Sequence, residues 1–550
     1  MRDAASLADV LAEVASAKDW FVAALDYELG YLLEPRSAPP DWQLDGSALA
    51  RFWRFADCEV LSAAQADAWL AGRSQGRPAG LLNVQPGISE TDYLQAVTRI
   101  QGYISDGDCY QVNYTLPLHF NWFGSPAALY QRLRARQPVS YGGFVETEEG
   151  GLVSLSPELF LEKTGHRLHT RPMKGTAPRA TDPACLHASQ KDRAENLMIV
   201  DLLRNDLGRI ALNGSVKVEA LFAIEDYPTV WQMVSSISAQ LGEVSLTEIL
   251  HALFPCGSIT GAPKIRAMQI AGELEHAPRG RYTGALGWIA PGGDLRLNVA
   301  IRTLTLAADG KGCMGVGSGI VADSKGAAEW QECLLKARFL QAAAPDVQLI
   351  ETLRREHGSY PALSDHWQRL SNSAAALGFP CDYAAFQAVL AQMPAEGCWR
   401  VRLTLAADGH LAAQAFPLLA EPTQGRLACL ADERIDAEYL LRKHKTTDRA
   451  LYDLALKQIA ATPDVFDMVF LNQRGEVAEG ARSNVFVERD GLLLTPPTSS
   501  GALPGVLRAQ LLASGKAREA VLYPADLAQG FWLGNALRGL VPVRLDALVA

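Results

Sequence analysis

Nowhere in the 550 residues do about 18 uncharged apolar residues run together, so no membrane-spanning helix is expected. The start, Met1-Arg2-Asp3-Ala4-Ala5-Ser6-Leu7-Ala8-Asp9, is interrupted by acids and lacks the apolar stretch of an export signal. Basic runs are absent and the formal net charge is −10, which argues against nucleic acid as a partner. Cysteine is scarce: nine residues, scattered, with no Cys-x-x-Cys, exclude a zinc ribbon and a disulfide framework. Reduced thiols in the cytoplasm are the expectation. Low-complexity tracts, internal repeats and a Gly-Lys-Ser/Thr phosphate loop are also missing. So is the Gly-x-Cys-x-Gly elbow with a partnering histidine that a glutaminase needs.

What remains is a globular composition, 48% apolar and 20% charged, on a chain too long for one core. An Ala/Pro junction at 343–347 divides it into an expected domain over 1–342 and a second over 348–550. In the first, residues 17–60 read as strands and turns, and a helix starts at Thr91 and stops at Gly107. Strands follow at 111–120 and 151–161, a helix at 193–209, strands near 213–219, 282–290, 296–306 and 312–321, and a helix near 327–342. Mixed strands and helices of this kind predict an α/β sandwich. In the second, the pattern restarts with strand 347–355, helix 363–377, strand 398–406, helix 434–461, strands 467–472 and 484–494, and helix 505–514.

Chemistry concentrates first around Arg171-Pro172-Met173-Lys174-Gly175-Thr176-Ala177-Pro178-Arg179. Two prolines and a glycine predict a stiff loop that holds the Lys174 ammonium in one place, where a lowered pKa would make it a nucleophile. Four patterns accompany it. Ser156-Pro157-Glu158 puts an acid at a strand or its edge, and Lys191-Asp192-Arg193-Ala194-Glu195 opens a helix. Phe254-Pro255-Cys256-Gly257-Ser258-Ile259-Thr260-Gly261 is a glycine-rich turn leading into a helix. Glu329, Glu332 and Lys336 share one helical face. Each alone is what a solvated helix or an ordinary turn would show; the ensemble is not.

The ensemble resembles the chorismate-utilising enzymes, and within them the aminodeoxychorismate synthase component I group. The resemblance implies Mg²⁺ held by Glu195 and Glu332, with Glu329 as a third carboxylate. It implies Arg302 on the enolpyruvyl carboxylate, and Gly175, Thr176, Ser258, Tyr282, Gly317, Gly319 and Lys336 around the rest of chorismate. Water-adding relatives carry a lysine where Gln111 stands here, so ammonia is the implied nucleophile. Anthranilate-forming relatives carry alanine where Lys174 stands. In the resembling mechanism Lys174 adds at C2, Glu158 protonates the leaving C4 hydroxyl, and ammonia adds at C4. Gln232 replaces a histidine usual in the family, and glutamine carries no proton.

The second domain brings His366-Trp367-Gln368-Arg369, Lys443-His444-Lys445-Thr446-Thr447-Asp448-Arg449, Glu479 and Pro504-Gly505-Val506. Pyridoxal 5'-phosphate needs a lysine to carry it, an acid at its ring nitrogen and an anion site for its phosphate. A helix opening at Gly505-Val506 is such a site, with Arg369 adding charge and Glu479 as the acid. The set resembles the class IV pyridoxal-phosphate fold (D-amino-acid-aminotransferase-like, α+β) and specifically its aminodeoxychorismate lyases. Lys443 and Lys445 compete as the cofactor lysine, and the family's Lys-x-x-x-Arg spacing selects Lys445. Ala536 stands where a phosphate-contacting serine is common. Taken together, the resemblances imply a bifunctional 4-aminobenzoate enzyme in folate synthesis. It would be fed ammonia by a separate glutamine amidotransferase subunit and dimerise through the C-terminal domain. The competing readings are an anthranilate-type synthase fused to a branched-chain or D-amino-acid transaminase, and a degenerate C-terminal domain.

Overall fold

The computed structural model describes residues 4–546 except 45, 75–78, 228–229, 344–346, 419–425, 461 and 463. Two compact units result, Met1–Ala343 and Ala344–Ala550. Most of the expected junction, residues 344–346, lies outside the described residues.

Unit one is the α/β sandwich expected. A nine-stranded and a seven-stranded antiparallel sheet are found among the described residues. Leu152 of the smaller sheet packs on Ala24 and Leu286 of the larger one. Helices cover the outer faces. Gln190–Gly208 and Leu246–Leu253 bury Leu203, Leu207 and Leu250 on the larger sheet; Glu90–Ser105 and Gly326–Ala337 bury Val97, Ile100, Trp330 and Cys333 on the smaller.

The chain passes between the sheets twice at the point that matters. Strand Gly150–Ser154 belongs to the smaller sheet and Leu159–Thr164 to the larger; Leu295–Val299 and Thr303–Ala307 make the return crossing. The expected continuous strands 151–161 and 296–306 are therefore each broken, at Leu155–Glu158 and Ala300–Arg302. The crossings are tied together: Leu155 N–H donates to the Arg302 carbonyl (3.0 Å) and Val299 N–H to that of Glu158 (3.0 Å). The Ser156 hydroxyl adds a bond to the Val299 carbonyl (2.6 Å).

Other expectations fail locally. The Lys174 segment is not a loop: Met173–Pro178 is a strand paired antiparallel with Val230–Gln240, Thr176 opposite Gln232. Asp26 to Leu33 is a turn and the helix Leu29–Leu33, because its aromatic and leucine side chains bury on a helical face. The expected helix 434–461 is only Ala450–Ala460. Strand Arg426–Ile435 and the short helical turn Leu440–Lys443 take its first half.

Unit two joins a three-stranded antiparallel sheet (Leu349–Glu356, Cys398–Leu405, Leu411–Pro417) to an eight-stranded mixed sheet. Helix Leu363–Leu377 runs beside the first strand and ends at Gly378 in the left-handed conformation that favours glycine. No helix among the described residues is long and apolar enough to cross a membrane.

Candidate active sites

In unit one the two crossings, the Lys174 strand and two helices converge. Glu158 is buried, and its Oε1 accepts from the Ser258 hydroxyl (2.7 Å), presented by the turn Gly257–Ile259. Burial pushes the Glu158 carboxyl up; the Ser258 bond and the Lys174 charge oppose it. Lys174 keeps part of its surface open, while its ammonium is enclosed and burial lowers its pKa. The charges that bear on it are Glu158 foremost, then Lys336, Glu195 and Glu332. Five residues from four separate segments thus share one electrostatic neighbourhood.

Gln232 clasps this strand. Its Nε2 donates to the Gly175 carbonyl (2.9 Å) and its Oε1 accepts from the Thr176 hydroxyl (2.9 Å). Gly175 has φ +86°, and a Cβ there would lie 2.9 Å from Asp192 Cβ, so only glycine lets the strand approach the helix that carries Glu195. The sequence identified Gln232 only as a departure from the family; its clamp on the Lys174 strand needed the β register to be seen.

Arg302 sits at the return crossing with φ +50°, a costly backbone for a non-glycine residue. Burial lowers its pKa, and among the described residues no carboxylate pairs with it. Such a guanidinium is poised for an incoming carboxylate. Tyr282 is buried, and Lys336 donates to the Gly317 carbonyl (2.8 Å) while pairing with Glu332 (2.8 Å). Gln111 is buried and its Oε1 has no partner among the described residues; its Nε2 lies 2.4 Å from where a Cβ on Gly319 would stand.

The three carboxylates expected to hold a metal are not gathered. Glu329 accepts from the Ser318 and Ser324 hydroxyls, and no group of three His, Cys, Asp or Glu suited to a metal occurs among the described residues. Glu195 and Glu332 do face a common charge field. Burial raises the Glu195 pKa and Glu332 adds to the rise, the repulsion a divalent cation relieves. Two carboxylates with water and substrate oxygens suit Mg²⁺, so these residues fit it without Glu329.

The second site is a cavity of about 610 Å³ in unit two, lined by Lys445, Arg369, Glu479, Gly505 and Val506 among others. Lys443 is exposed. Lys445 Nζ donates to the Thr352 hydroxyl (3.1 Å), and its pKa falls to about 7 through burial and the charges of Arg369, Arg449 and Arg402, against Glu351. Glu479 is buried, accepting from Tyr452 OH and from Leu503 N–H (2.9 Å), with its pKa raised by burial. Arg369 is not a free charge. Its guanidinium forks onto Glu351 (2.9 and 2.6 Å), which also meets His366 Nδ1 (2.6 Å). Burial pushes Glu351 up, but Arg369 and His366 outweigh it and hold its pKa near 2. Gly505 N–H is engaged by Leu503 (2.8 Å), while Val506 N–H has no partner among the described residues. Amine, buried acid and open helix amide fit pyridoxal phosphate, the anion end resting on backbone more than on arginine. Glu351 and Tyr452 escaped sequence reasoning, since neither lies in a motif.

Comparison with known proteins follows this division. The family model for chorismate binding enzyme matches residues 2–342, and that for amino-transferase class IV matches 348–545. Aminodeoxychorismate synthase component 1 of Escherichia coli is 43% identical over 256 residues, covering 45% of this chain and 56% of that protein. Anthranilate synthase component 1 of Thermus thermophilus is 40% identical over 284 residues, covering 50% and 61%. The chain thus spans little more than half the length of these relatives. Anthranilate synthase component I from Streptococcus pneumoniae superposes with a TM-score of 0.53 at 26% identity, over 60% of this chain and 84% of that one. With more than half of its length under one model, this chain belongs to the chorismate binding enzyme family, and it carries a class IV amino-transferase domain after it.

Proposed function

We propose that unit one converts chorismate and ammonia to 4-amino-4-deoxychorismate, and that unit two eliminates pyruvate from it to give 4-aminobenzoate. The observation that carries the reading is Lys174, an enclosed amine facing the buried acid Glu158. Overall identity does not decide between para and ortho amination, because relatives of both kinds are similarly distant.

Arg302 receives the enolpyruvyl carboxylate, and the Glu158 proton lies toward the C4 hydroxyl. The free Lys174 amine attacks C2; both ring double bonds shift, C1=C2 to C1=C6 and C5=C6 to C4=C5, and the C4–O bond breaks, with the hydroxyl leaving as water on the Glu158 proton. Ammonia then bonds to C4, both double bonds shift back, and Lys174 departs from C2 with its bonding pair. Occupying C2 directs nitrogen to C4. Gln111 cannot deprotonate water, so hydration does not compete. Mg²⁺ held by Glu195 and Glu332 would neutralise the ring carboxylate.

In unit two, pyridoxal phosphate supplies an electron sink when bound. Lys445 takes the C4 proton, helped by a pKa brought near neutrality. Glu479, fixed by Tyr452 and Leu503, would hold a proton at the cofactor's ring nitrogen. As the C3–O bond breaks, enolpyruvate leaves with the electron pair and a proton, and the ring becomes aromatic. Ammonia would come from a glutamine amidotransferase subunit, and we place the protein in the cytoplasm, dimerising through unit two.

The test is Lys174→Ala assayed with chorismate, ammonium and Mg²⁺, products separated by chromatography. The expected result is loss of 4-amino-4-deoxychorismate, by about 10²-fold or more. Undiminished C4 amination, or anthranilate from the unaltered protein, refutes the reading.

A further inference from the structure

The cavity of unit two has a wall the proposed chemistry leaves unassigned. Cys398–Leu405 is the central strand of the three-stranded sheet, and its alternation sends Val401, Leu403 and Leu405 into the core. Arg400 and Arg402 take the other face and line the cavity. Register aligns two rows across that face: Thr352, Arg402 and Gln414 in one, Arg354, Arg400 and Phe416 in the next. Residues opposite one another have Cβ atoms about 5 Å apart, so Arg402 stands beside the threonine that holds Lys445 Nζ.

The neighbouring cations have partners. Arg369 is bound to Glu351, Arg449 to Asp453 (2.8 Å) and Arg354 to Glu356 (3.0 Å), while Arg442 donates to Tyr452. Among the described residues Arg400 and Arg402 meet no carboxylate. Arg400 lies over the Phe416 ring at 4.8 Å, which orients its guanidinium without neutralising it. Two unpaired guanidiniums two residues apart on a strand, roughly 7 Å, form a fork wider than one carboxylate.

We infer that Arg400 and Arg402 form a receptor for the two carboxylates of a dianionic substrate and set the specificity of this cavity. The inference rests on the proposed lyase reading and extends it. Arg402, next to the lysine, takes the carboxylate nearer the reacting carbon, and Arg400 takes the distal one. A monocarboxylate amino acid engages only one and leaves the second charge unmatched, which discriminates against ordinary transaminase substrates.

Isophthalate and benzoate, titrated into the full chain loaded with pyridoxal phosphate, test this through the cofactor band at about 420 nm. The band reports the unit-two cavity alone, so binding in unit one does not contribute. Isophthalate is expected to bind at least about tenfold tighter than benzoate, and the preference to fall to within about twofold in Arg400→Gln/Arg402→Gln with the band itself retained. The double variant should also raise KM for 4-amino-4-deoxychorismate by about tenfold or more while kcat changes less. Equal binding by the unaltered protein, or a preference or KM that survives the double substitution, overturns the receptor. Dianion preference without release of 4-aminobenzoate supports the receptor and refutes the lyase reading instead.

Discussion

Burial lowers the pKa of two lysines, Lys174 and Lys445, and so raises the share of free amine at neutral pH. Lys445 is predicted to condense with added pyridoxal phosphate in proportion to its free amine. A lysine in water is free only near pH 10, but one lowered to about 7 is mostly free above neutrality. The rate of growth of the 420 nm band (an approximate position) on adding cofactor to the apo chain should climb through about pH 7 and level off above it. A climb centred near pH 10 would show that the cavity does not desolvate the amine. In unit one, Glu158 must be protonated and its pKa is raised; Lys174 must be free and its pKa is lowered. Synthase kcat/KM should therefore be bell-shaped, the acidic limb lost in no variant that keeps Lys174. Gln232→Ala should slow turnover about tenfold by loosening the strand, yet leave the shape of that profile alone, because glutamine exchanges no proton. A pH limb that moves with this substitution would give Gln232 a proton-transfer role. Lys174, Glu158 and Lys445 were legible as types in a pattern. Glu351, Tyr452 and Thr352 were not, because their roles are contacts across 18 to 93 positions of sequence.

Elements were read best where periodicity and burial agree. Helix Leu363–Leu377 and strand Gln111–Phe123 begin where the sequence placed them. Reading failed where a strand-like run changes sheets, since both halves keep β-forming residues and nothing local marks the crossing. Those crossings carry Glu158 and Arg302, so the geometry of the candidate site lies in what periodicity cannot show. Strand Lys311–Ile320 makes the same point through packing. The sequence singled out Gly317 and Gly319, yet Gly315 lies against buried Tyr282, where a Cβ would stand 2.1 Å from Cγ and 2.2 Å from Cδ1. The strand is held by its ladder to Gln111–Phe123, and the ring is buried. Gly315→Ala should then cost about 1–3 kcal/mol through overpacking. Thermal unfolding would register this as a lower midpoint for unit one, together with a higher KM for chorismate as Tyr282 is displaced. An unchanged midpoint would mean that the ring has room to move.

At the scale of the molecule, each unit carries its own hydrophobic cores and its own site. Leu203, Leu250 and Leu297 centre one core of unit one and Tyr114, Leu129 and Trp330 another; Val469, Val485 and Leu533 belong to unit two. Composition and length announced more than one core, but not where each site sits, because that depends on register and on the crossings. Separate cores predict separate unfolding. Calorimetry of the full chain should resolve two transitions, and a ligand that binds one folded unit stabilises that unit by mass action alone. Pyridoxal phosphate at about 100 times its Kd adds about 2.7 kcal/mol to the unit that holds it. It should raise one transition by several degrees and leave the other fixed, and Lys445→Ala should abolish that shift. Chorismate with Mg²⁺ should move only the other transition, an effect expected to survive Lys445→Ala and to weaken in Arg302→Gln. A single transition displaced equally by both ligands would mean that the two units unfold as one cooperative body, and independent operation of the two sites would then have to be abandoned.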